Sequence, residues 1–482
     1  MKNLLSCLIF VCSCFMGCED FLDQEPGTQV SITEQLSSRI GVEQAFSRVY
    51  YDIEALLSSR HILYADVQGG NITFTPRISD QIVTVPGGIE NSYHFSDMEE
   101  DSDYAGYYEE LYIIINQVNV ILEYFDEYSF FTDQERSQLQ AELLTLRAFA
   151  HYLVAIHYAQ NYHYTADASH LGIVYNTTTL ALGVDFPARL TLSGTYDFIK
   201  ADLDAALASY TDNTLLSTEP AYAYFNRMST QALYARIALQ MNDWEQARAF
   251  SNEVITTSGV VLATTGNYIS EWELDEDPVS EVILEFSAPR NSDGNVSSSI
   301  SEHFIYNSPT NYSDYVASGD LLDLYDTADI RSNMFLEIYL ATFSNQEQTA
   351  MPYYFTKKFQ GNAGTTCIRL SEMYLNRAEA NARLNNPGEA LADLNTIRER
   401  ANLAPLTGTE DILNEIFLER RRELAFEGHL LFDILRYKKD VTRDQGCLSQ
   451  LCNLSYPSHY FILPIPFSST GLNENIVQND GY

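Results

Sequence analysis

The sequence predicts a mostly α-helical scaffold carrying an irregular, loop-rich lobe, and three observations predict it. First, two helix pairs share one internal layout. In residues 369–403, Leu370, Met373, Tyr374 and Ala378 fall on one helical stripe, Asn385-Asn386-Pro387-Gly388 makes a turn, and Ala390, Leu394, Ile397 and Ala401 resume the helical spacing. A second pair spans about 228–255 and turns at Asn242-Asp243. Ala235 and Ala247 stand twelve apart, as do Ala378 and Ala390, and Met241-Asn242-Asp243 aligns with Leu384-Asn385-Asn386. Second, further helices are expected at 42–57, 104–124, 133–158, 195–210 and 410–437. Third, residues 61–103, 256–320 and 440–482 show no period. Aperiodic runs of that length are unusual in compact domains and often carry function, so they are expected together on one side of the helices.

Small residues where paired helices cross, with a polar turn between, are the tetratricopeptide-type arrangement. The 482 residues hold 66 Asp+Glu against 28 Lys+Arg, a net charge of −38. So negative a surface repels phosphate backbones and excludes nucleic-acid binding as a class. Hydrophobic residues at 45% and charged ones at 20% describe a folded chain. Tyr and Phe are plentiful at 33 and 25, against 2 Trp, and a tyrosine surplus suits a ligand-contacting surface as well as a helical core.

The N-terminus places the chain. Lys2 precedes a mostly apolar run from Leu4 to Met16, which is short of the ~20 residues a spanning helix needs and fits a secretory signal. It ends in Phe15-Met16-Gly17-Cys18, which resembles the lipobox of bacterial lipoproteins. Residues 1–17 then form a signal peptide, and Cys18 carries the acyl chains of a membrane anchor. Three further cysteines leave with the signal. Cys447 and Cys452, five apart in a short loop, are a candidate disulfide, and Cys367 is expected to be a buried free thiol. No zinc spacing is present.

Four segments resemble the SusD/RagB family of outer-membrane nutrient-binding lipoproteins. They are Cys18-Glu19-Asp20-Phe21-Leu22-Asp23 with Pro26; Arg369-Leu370-Ser371-Glu372-Met373-Tyr374-Leu375-Asn376-Arg377-Ala378-Glu379-Ala380 with Leu394-Asn395-Thr396-Ile397-Arg398-Glu399-Arg400-Ala401; Glu419-Arg420-Arg421-Arg422-Glu423-Leu424-Ala425-Phe426-Glu427-Gly428-His429 running on to Arg436-Tyr437; and Pro464-Ile465-Pro466 with Gln478-Asn479-Asp480-Gly481-Tyr482. Ser469, Glu474 and Asp480 depart from the family's usual tail, and the loops lack the Trp that glycan binders often place there. The resemblance implies one SusD-like unit over 18–482, with an N-terminal region to about 220 and a C-terminal one from about 280. It also implies an outer-membrane location facing the cell exterior, a SusC-like TonB-dependent transporter as partner, and oligosaccharides as ligands, or peptides as in RagB-like members. No cofactor or metal is implied.

Sugar binding without catalysis needs aromatic faces beside amides and carboxylates. Two segments combine them in the regions from which the family draws its ligand site. Tyr93, Tyr104, Phe304, Tyr306 and Tyr312 are the candidate aromatics, and Asn91, Asn307 and Asn311 the candidate hydrogen-bonders. On a helix, Glu419, Glu423 and Glu427 would line one face, neutralised by Arg420, Arg421 and Arg422; they read as scaffold, against a glycosidase pair that needs acids across a cleft. His151, His157 and His163, six apart, form no metal cluster, and residues 98–103 lack calcium-loop spacing. Against the reading of a non-enzymatic glycan binder stand a peptide carrier, a surface glycoside hydrolase and a pure assembly protein.

Overall fold

The computed structural model describes residues 30–181, 183–211, 215, 220–344, 346–408 and 411–482. Cys18 and the signal segment lie outside the described residues. The long helices are α1 (Arg39–Leu57), α2 (Ala105–Glu123), α3 (Asp133–Tyr158), α4 (Leu192–Ser209), α5 (Arg227–Gln240), α6 (Trp244–Thr257), α7 (Leu370–Arg383), α8 (Pro387–Arg400), α9 (Ile412–Glu423) and α10 (Leu430–Arg436). Local chemistry sets their starts. Thr132 and Glu135 form a reciprocal capping box on α3, Asn226 and Ser229 another on α5, and the Asp243 carboxylate caps α6.

The two helix pairs match at the level of single hydrogen bonds. Asn242 and Asn385 both adopt the left-handed conformation, φ 58° and 59°. The next amide then turns back: Asp243 N–H bonds Ala238 O at 2.9 Å, and Asn386 N–H bonds Asn381 O at 2.8 Å. Ala235, Ala247, Ala378 and Ala390 are all fully buried at the crossings, where any larger side chain would push the helices apart. The pairs abut through α6 and α7, where Arg377 bridges Asp393 of α8 (2.6 Å) and Asn252 of α6 (2.8 Å). The main core joins the inner faces of α1–α7 with the tail residues Leu463 and Ile465.

One expected helix is two. Over 410–437, α9 stops at Glu423 and α10 starts at Leu430, with Phe426 and Gly428 at positive φ between them. The cause lies far away in sequence. The buried carboxylate of Asp66 accepts from Phe426 N–H (3.2 Å) and Gly428 N–H (2.8 Å), and these bonds replace helical ones. Glu427 therefore leaves the helix face that it would have shared with Glu419 and Glu423.

These three carboxylates are buried in a network whose cations come largely from outside the arginine run. Glu423 meets Arg369 (2.6 Å), Arg331 (2.8 Å) and Arg400. Glu427 meets Lys358 (2.6 Å) and Arg369 (2.7 Å); Glu419 meets Arg331 and Arg422, both at 2.7 Å. Glu281 pairs with Arg369 (2.5 Å) and Arg400 (3.2 Å), and Asp329 with Arg331 (2.8 Å). Five carboxylates thus face Arg331, Lys358, Arg369, Arg400 and Arg422, with Arg398 also 3.7 Å from Glu419, a locally cationic set within an acidic chain. Of the consecutive arginines only Arg422 joins it. Arg420 pairs with Asp433 (2.8 Å), and Arg421 donates to the side chain of Asn71 (2.9 Å). The cations hold Glu423 well below the usual carboxylate range.

Two predictions follow from burial. Glu423→Gln removes the carboxylate that Arg331, Arg369 and Arg400 share and leaves an uncompensated positive charge in the buried network, so unfolding in urea should show a loss of about 3–5 kcal/mol. Glu285, beside Thr366 (3.1 Å), has too little compensation, and burial pushes its carboxyl up to about 7. Between its unfolded pKa of ~4.3 and that value the folded chain keeps a proton that the unfolded chain has shed. This group's stabilisation is therefore full at low pH and lost as pH rises through 7. Relative to the parent, Glu285→Gln should gain about 3 kcal/mol between pH 4.5 and pH 8, read from paired denaturation curves.

Candidate functional site

The aperiodic stretches interlock around short strand pairs. β1 (Ile72–Phe74) pairs antiparallel with β5 (Tyr315–Ala317), Ile72 opposite Ala317. β2 (Val282–Phe286) pairs with β8 (Thr365–Arg369) and leads into α7. β3 (Tyr306–Ser308) and β4 (Asn311–Tyr312) form a tight hairpin, and β9 (Val441–Thr442) pairs with β10 (Asn453–Leu454). The longest pairing is β6 (Phe335–Ser344) with β7 (Glu347–Thr356), ten register pairs from Phe335–Thr356 to Ser344–Glu347.

This lobe has a core of its own, and three of the candidate aromatics belong to it or to the main core. Tyr93, Tyr104 and Phe304 are 2%, 1% and 0% exposed. Tyr93 accepts Leu448 N–H at its hydroxyl (3.0 Å) and lies under the Arg443 guanidinium at 4.4 Å. Tyr104 sits edge-on to His61 and Tyr64, and its carbonyl accepts from the Tyr158 hydroxyl (2.6 Å). Phe304 stacks on Phe359 and meets the edge of Phe426. They offer no open face to a ligand, which corrects their assignment as stacking residues. The physical reason is that a lobe of long loops must bury apolar surface to hold its shape, and these rings supply it. Asn91 is half-buried, its amide donating to Asp101 O at 3.3 Å.

Tyr306, Asn307, Asn311 and Tyr312 come together on the β3–β4 hairpin. Asn307 and Asn311 are exposed. The Tyr306 and Tyr312 rings are near-parallel, 20° apart with centroids at 6.4 Å, and each contacts Phe355 of β7. The Tyr312 hydroxyl donates to Pro76 O at 2.8 Å, and burial raises its pKa, so it remains a donor. Both rings are half-buried beneath the β6–β7 hairpin, whose inward side chains Ile338, Leu340, Tyr353 and Phe355 close over them.

The outward face of that hairpin lies outside the two segments that carry the candidate residues. Strand alternation puts Glu337, Tyr339, Ala341 and Phe343 of β6 beside Tyr354, Pro352, Ala350 and Gln348 of β7. Tyr339 is 64% exposed, and the Tyr354 hydroxyl donates to Glu337 (3.2 Å). The hairpin end is anchored by Phe343 N–H to Gln81 O (2.7 Å) and Gln348 Nε2 to Gln81 Oε1 (2.5 Å). Aromatic rings, an amide and a carboxylate thus share one solvent-facing sheet surface. Its signal was present in Phe335-Leu336-Glu337-Ile338-Tyr339-Leu340, a run rich in β-branched and aromatic residues.

Cys447 and Cys452 form a disulfide, Cα–Cα 5.9 Å, in the loop that caps Tyr93. Cys367 is free and lines an internal cavity of about 50 Å³ with Arg236 and His429; burial pushes its thiol up. His151 is buried, stacked on Tyr175 at 3.7 Å, and its pKa falls to about 3. Among the described residues no group of three His, Cys, Asp or Glu is placed to hold a metal ion.

Phe304→Ala should cost about 3–5 kcal/mol of stability, and Tyr339→Ala less than about 0.5 kcal/mol. Equal losses in thermal denaturation would contradict the assignment of one ring to the core and the other to the surface.

Comparison with known proteins agrees with this geometry. The model of the SusD family matches residues 338–482, and a second model, described as "Starch-binding associating with outer membrane", matches residues 20–239. The SusD-like protein P25 of Formosa agariphila is 22% identical over the whole of this chain and 98% of its own length. The starch-binding protein SusD of Bacteroides thetaiotaomicron is 36% identical over 123 residues, 24% of this chain and 21% of that protein. Among solved structures, a SusD superfamily protein from Bacteroides vulgatus superposes with TM-score 0.79 at 21% identity, covering 92% of this chain and 99% of the other. A putative sugar-binding protein from the same organism gives 0.76 at 23%, with 92% and 98% covered. The mostly α fold is the SusD-like one, and the chain belongs to the SusD/RagB family.

Proposed function

We propose that this protein is a lipid-anchored, cell-surface nutrient-binding subunit that captures oligosaccharides and delivers them to a SusC-like TonB-dependent barrel without breaking bonds. The observation that carries the binding reading is the outward aromatic face of β6–β7. Tyr339 and Phe343 offer flat apolar surface for the CH faces of pyranose rings, with Tyr354 half-buried against the lobe's core beside them. Glu337 and Gln348 on the same face, and Asn307 and Asn311 on the neighbouring hairpin, supply polar groups for hydroxyls. The starch-binding description of the N-terminal match and the relative named as a starch-binding protein support the same ligand class. Anchoring would run through Cys18, with 18–482 acting as one unit. The phrase "associating with outer membrane" supports the location. The conspicuous acid cluster does not favour hydrolysis, because Glu419, Glu423 and Glu427 are buried and fully paired.

A peptide ligand is the second reading, favoured by one observation. Trp272 is buried and Trp244 packs under Arg383 at 5.3 Å, so neither tryptophan serves the exposed face. Tyr beside carboxylates suits peptide side chains as well as sugars.

A thermal-shift screen of the soluble chain from Glu19 onward, against oligosaccharide and peptide panels, separates the two, since a ligand that binds only the folded state raises the melting temperature by mass action. Glycans are expected to raise it, and Tyr339→Ala to weaken binding about ten-fold, about 1.4 kcal/mol. Shifts from peptides alone would move the protein to the RagB-like branch. A glycan shift untouched by Tyr339→Ala would remove the site from this hairpin.

A further inference from the structure

The two edges of the β6–β7 hairpin are unequal. In an antiparallel pair, residues alternate between bonding across to the partner strand and pointing their N–H and C=O away from it. Three contacts fix which residues of β6 point away. Met334 O accepts Lys357 N–H (2.7 Å) one pair before the ladder starts, so the even-numbered residues of β6 bond across to β7. Phe343 N–H, at an odd position, leaves the hairpin and donates to Gln81 O (2.7 Å). Pro352, which has no N–H to give, stands opposite Tyr339. Glu337, Tyr339 and Ala341 therefore turn their backbone groups to the free edge of β6. Among the described residues nothing bonds to the N–H or C=O of these three, and all three are exposed.

Sheet edges are ordinarily defended, because an unpaired ladder is a template for another chain. On β7 the defence is Pro352, whose ring stands where an outward donor would be. β6 carries no Pro, no Lys and no bulge along its ten register pairs. Its edge is used once, by Gln81 O at Phe343, and is open from Glu337 to Ala341.

The ladder selects the occupant. Donor and acceptor recur together at every second residue, ~6.8 Å apart, and an extended peptide backbone repeats the same pattern. A window from Glu337 to Ala341 suits a short segment. A stable dimer buries at least ~1,200 Å², and a second copy of this chain brings the same −38 charge. A strand laid on the edge puts the side chain opposite each outward residue on the same face, where cross-strand pairs meet. Opposite Glu337 that favours Lys or Arg, and opposite Tyr339 an aromatic or β-branched residue. We propose that the β6 edge captures an extended oligopeptide by strand addition, with a basic residue two places from an aromatic or β-branched one. The ligand class rests on the second reading of the function, and the surface offered to sugars is the adjoining face, not the edge.

The test uses the full chain purified in detergent and the synthetic peptide acetyl-Val-Lys-Val-Tyr-Val-Lys-Val-amide. Hydrogen exchange of residues 335–344 is followed by mass spectrometry with and without the peptide, beside the melting temperature. Expected is slowed exchange of the Glu337, Tyr339 and Ala341 amides together with a thermal shift. N-methylation of the peptide's Lys and Tyr amides, which face β6, should abolish both effects, whereas N-methylation of the alternate Val amides should leave them. Glu337→Lys should reverse the preference, favouring the same peptide with Glu in place of Lys. Equal loss from both methylation patterns, or protection confined to another part of the chain, would overturn strand addition at this edge and leave the peptide reading standing. Neither protection nor shift from these peptides would overturn the proposal, and silence from the whole peptide panel would remove the peptide reading with it; the glycan reading survives both. Exchange of the same three amides that slows as protein concentration rises would place a second copy on the edge and overturn the proposal as well.

Discussion

Glu423 is the interaction around which the molecule is organised. Its carboxylate sits without solvent exposure at the end of α9 and meets guanidinium groups from three separate parts of the chain. Arg331 comes from the lobe, Arg369 from the junction of β8 and α7, and Arg400 from the end of α8. A buried charge must be matched in position as well as sign, because each unpaired ion in a low-dielectric interior costs several kcal/mol. Helical repeat and irregular lobe therefore share one electrostatic joint. The aromatic shell around it, with Arg400 over Tyr268 at 4.1 Å and Lys358 over Trp272 at 4.9 Å, keeps water from replacing those contacts.

This joint explains how long loops hold shape without long sheets. The lobe is bonded at its base to a rigid helical body, and its own small core holds Phe74, Tyr93, Phe304 and Phe426. Only above that core does the β6–β7 hairpin stand clear with one face in water. A platform that binds ligands by ring stacking needs such support, since a mobile ring would have to be ordered at each encounter. Rings below give rigidity, and the Tyr339 and Phe343 rings on the outer face stay open to solvent.

The helical part of this arrangement was legible in sequence because its causes are local. Asp243 caps α6, Asn385 takes the left-handed turn, and the paired alanines mark the crossings; each acts within one or two turns of where it is written. The helix over 133–158 follows its expected bounds for the same reason. The candidate site was legible only in part. Tyr306 and Tyr312 do meet, but Tyr93 and Phe304 look the same in sequence and point the other way, because local composition does not say which side of a loop faces a core.

By itself the sequence determined the helix pairs, the acidic character and the segments that carry the family resemblance, since each depends on spacing along the chain or on composition. The tertiary structure alone decided the rest. The break between α9 and α10 is imposed by Asp66, some 360 residues away, and the partners of Glu423 and Glu427 are drawn from β8, α8 and the lobe. Which tyrosines are core and which are surface follows from β1 pairing with β5 and β6 with β7. Those outcomes depend on groups distant in sequence being brought within a few ångströms, and pairwise geometry of that kind is a property of the folded chain.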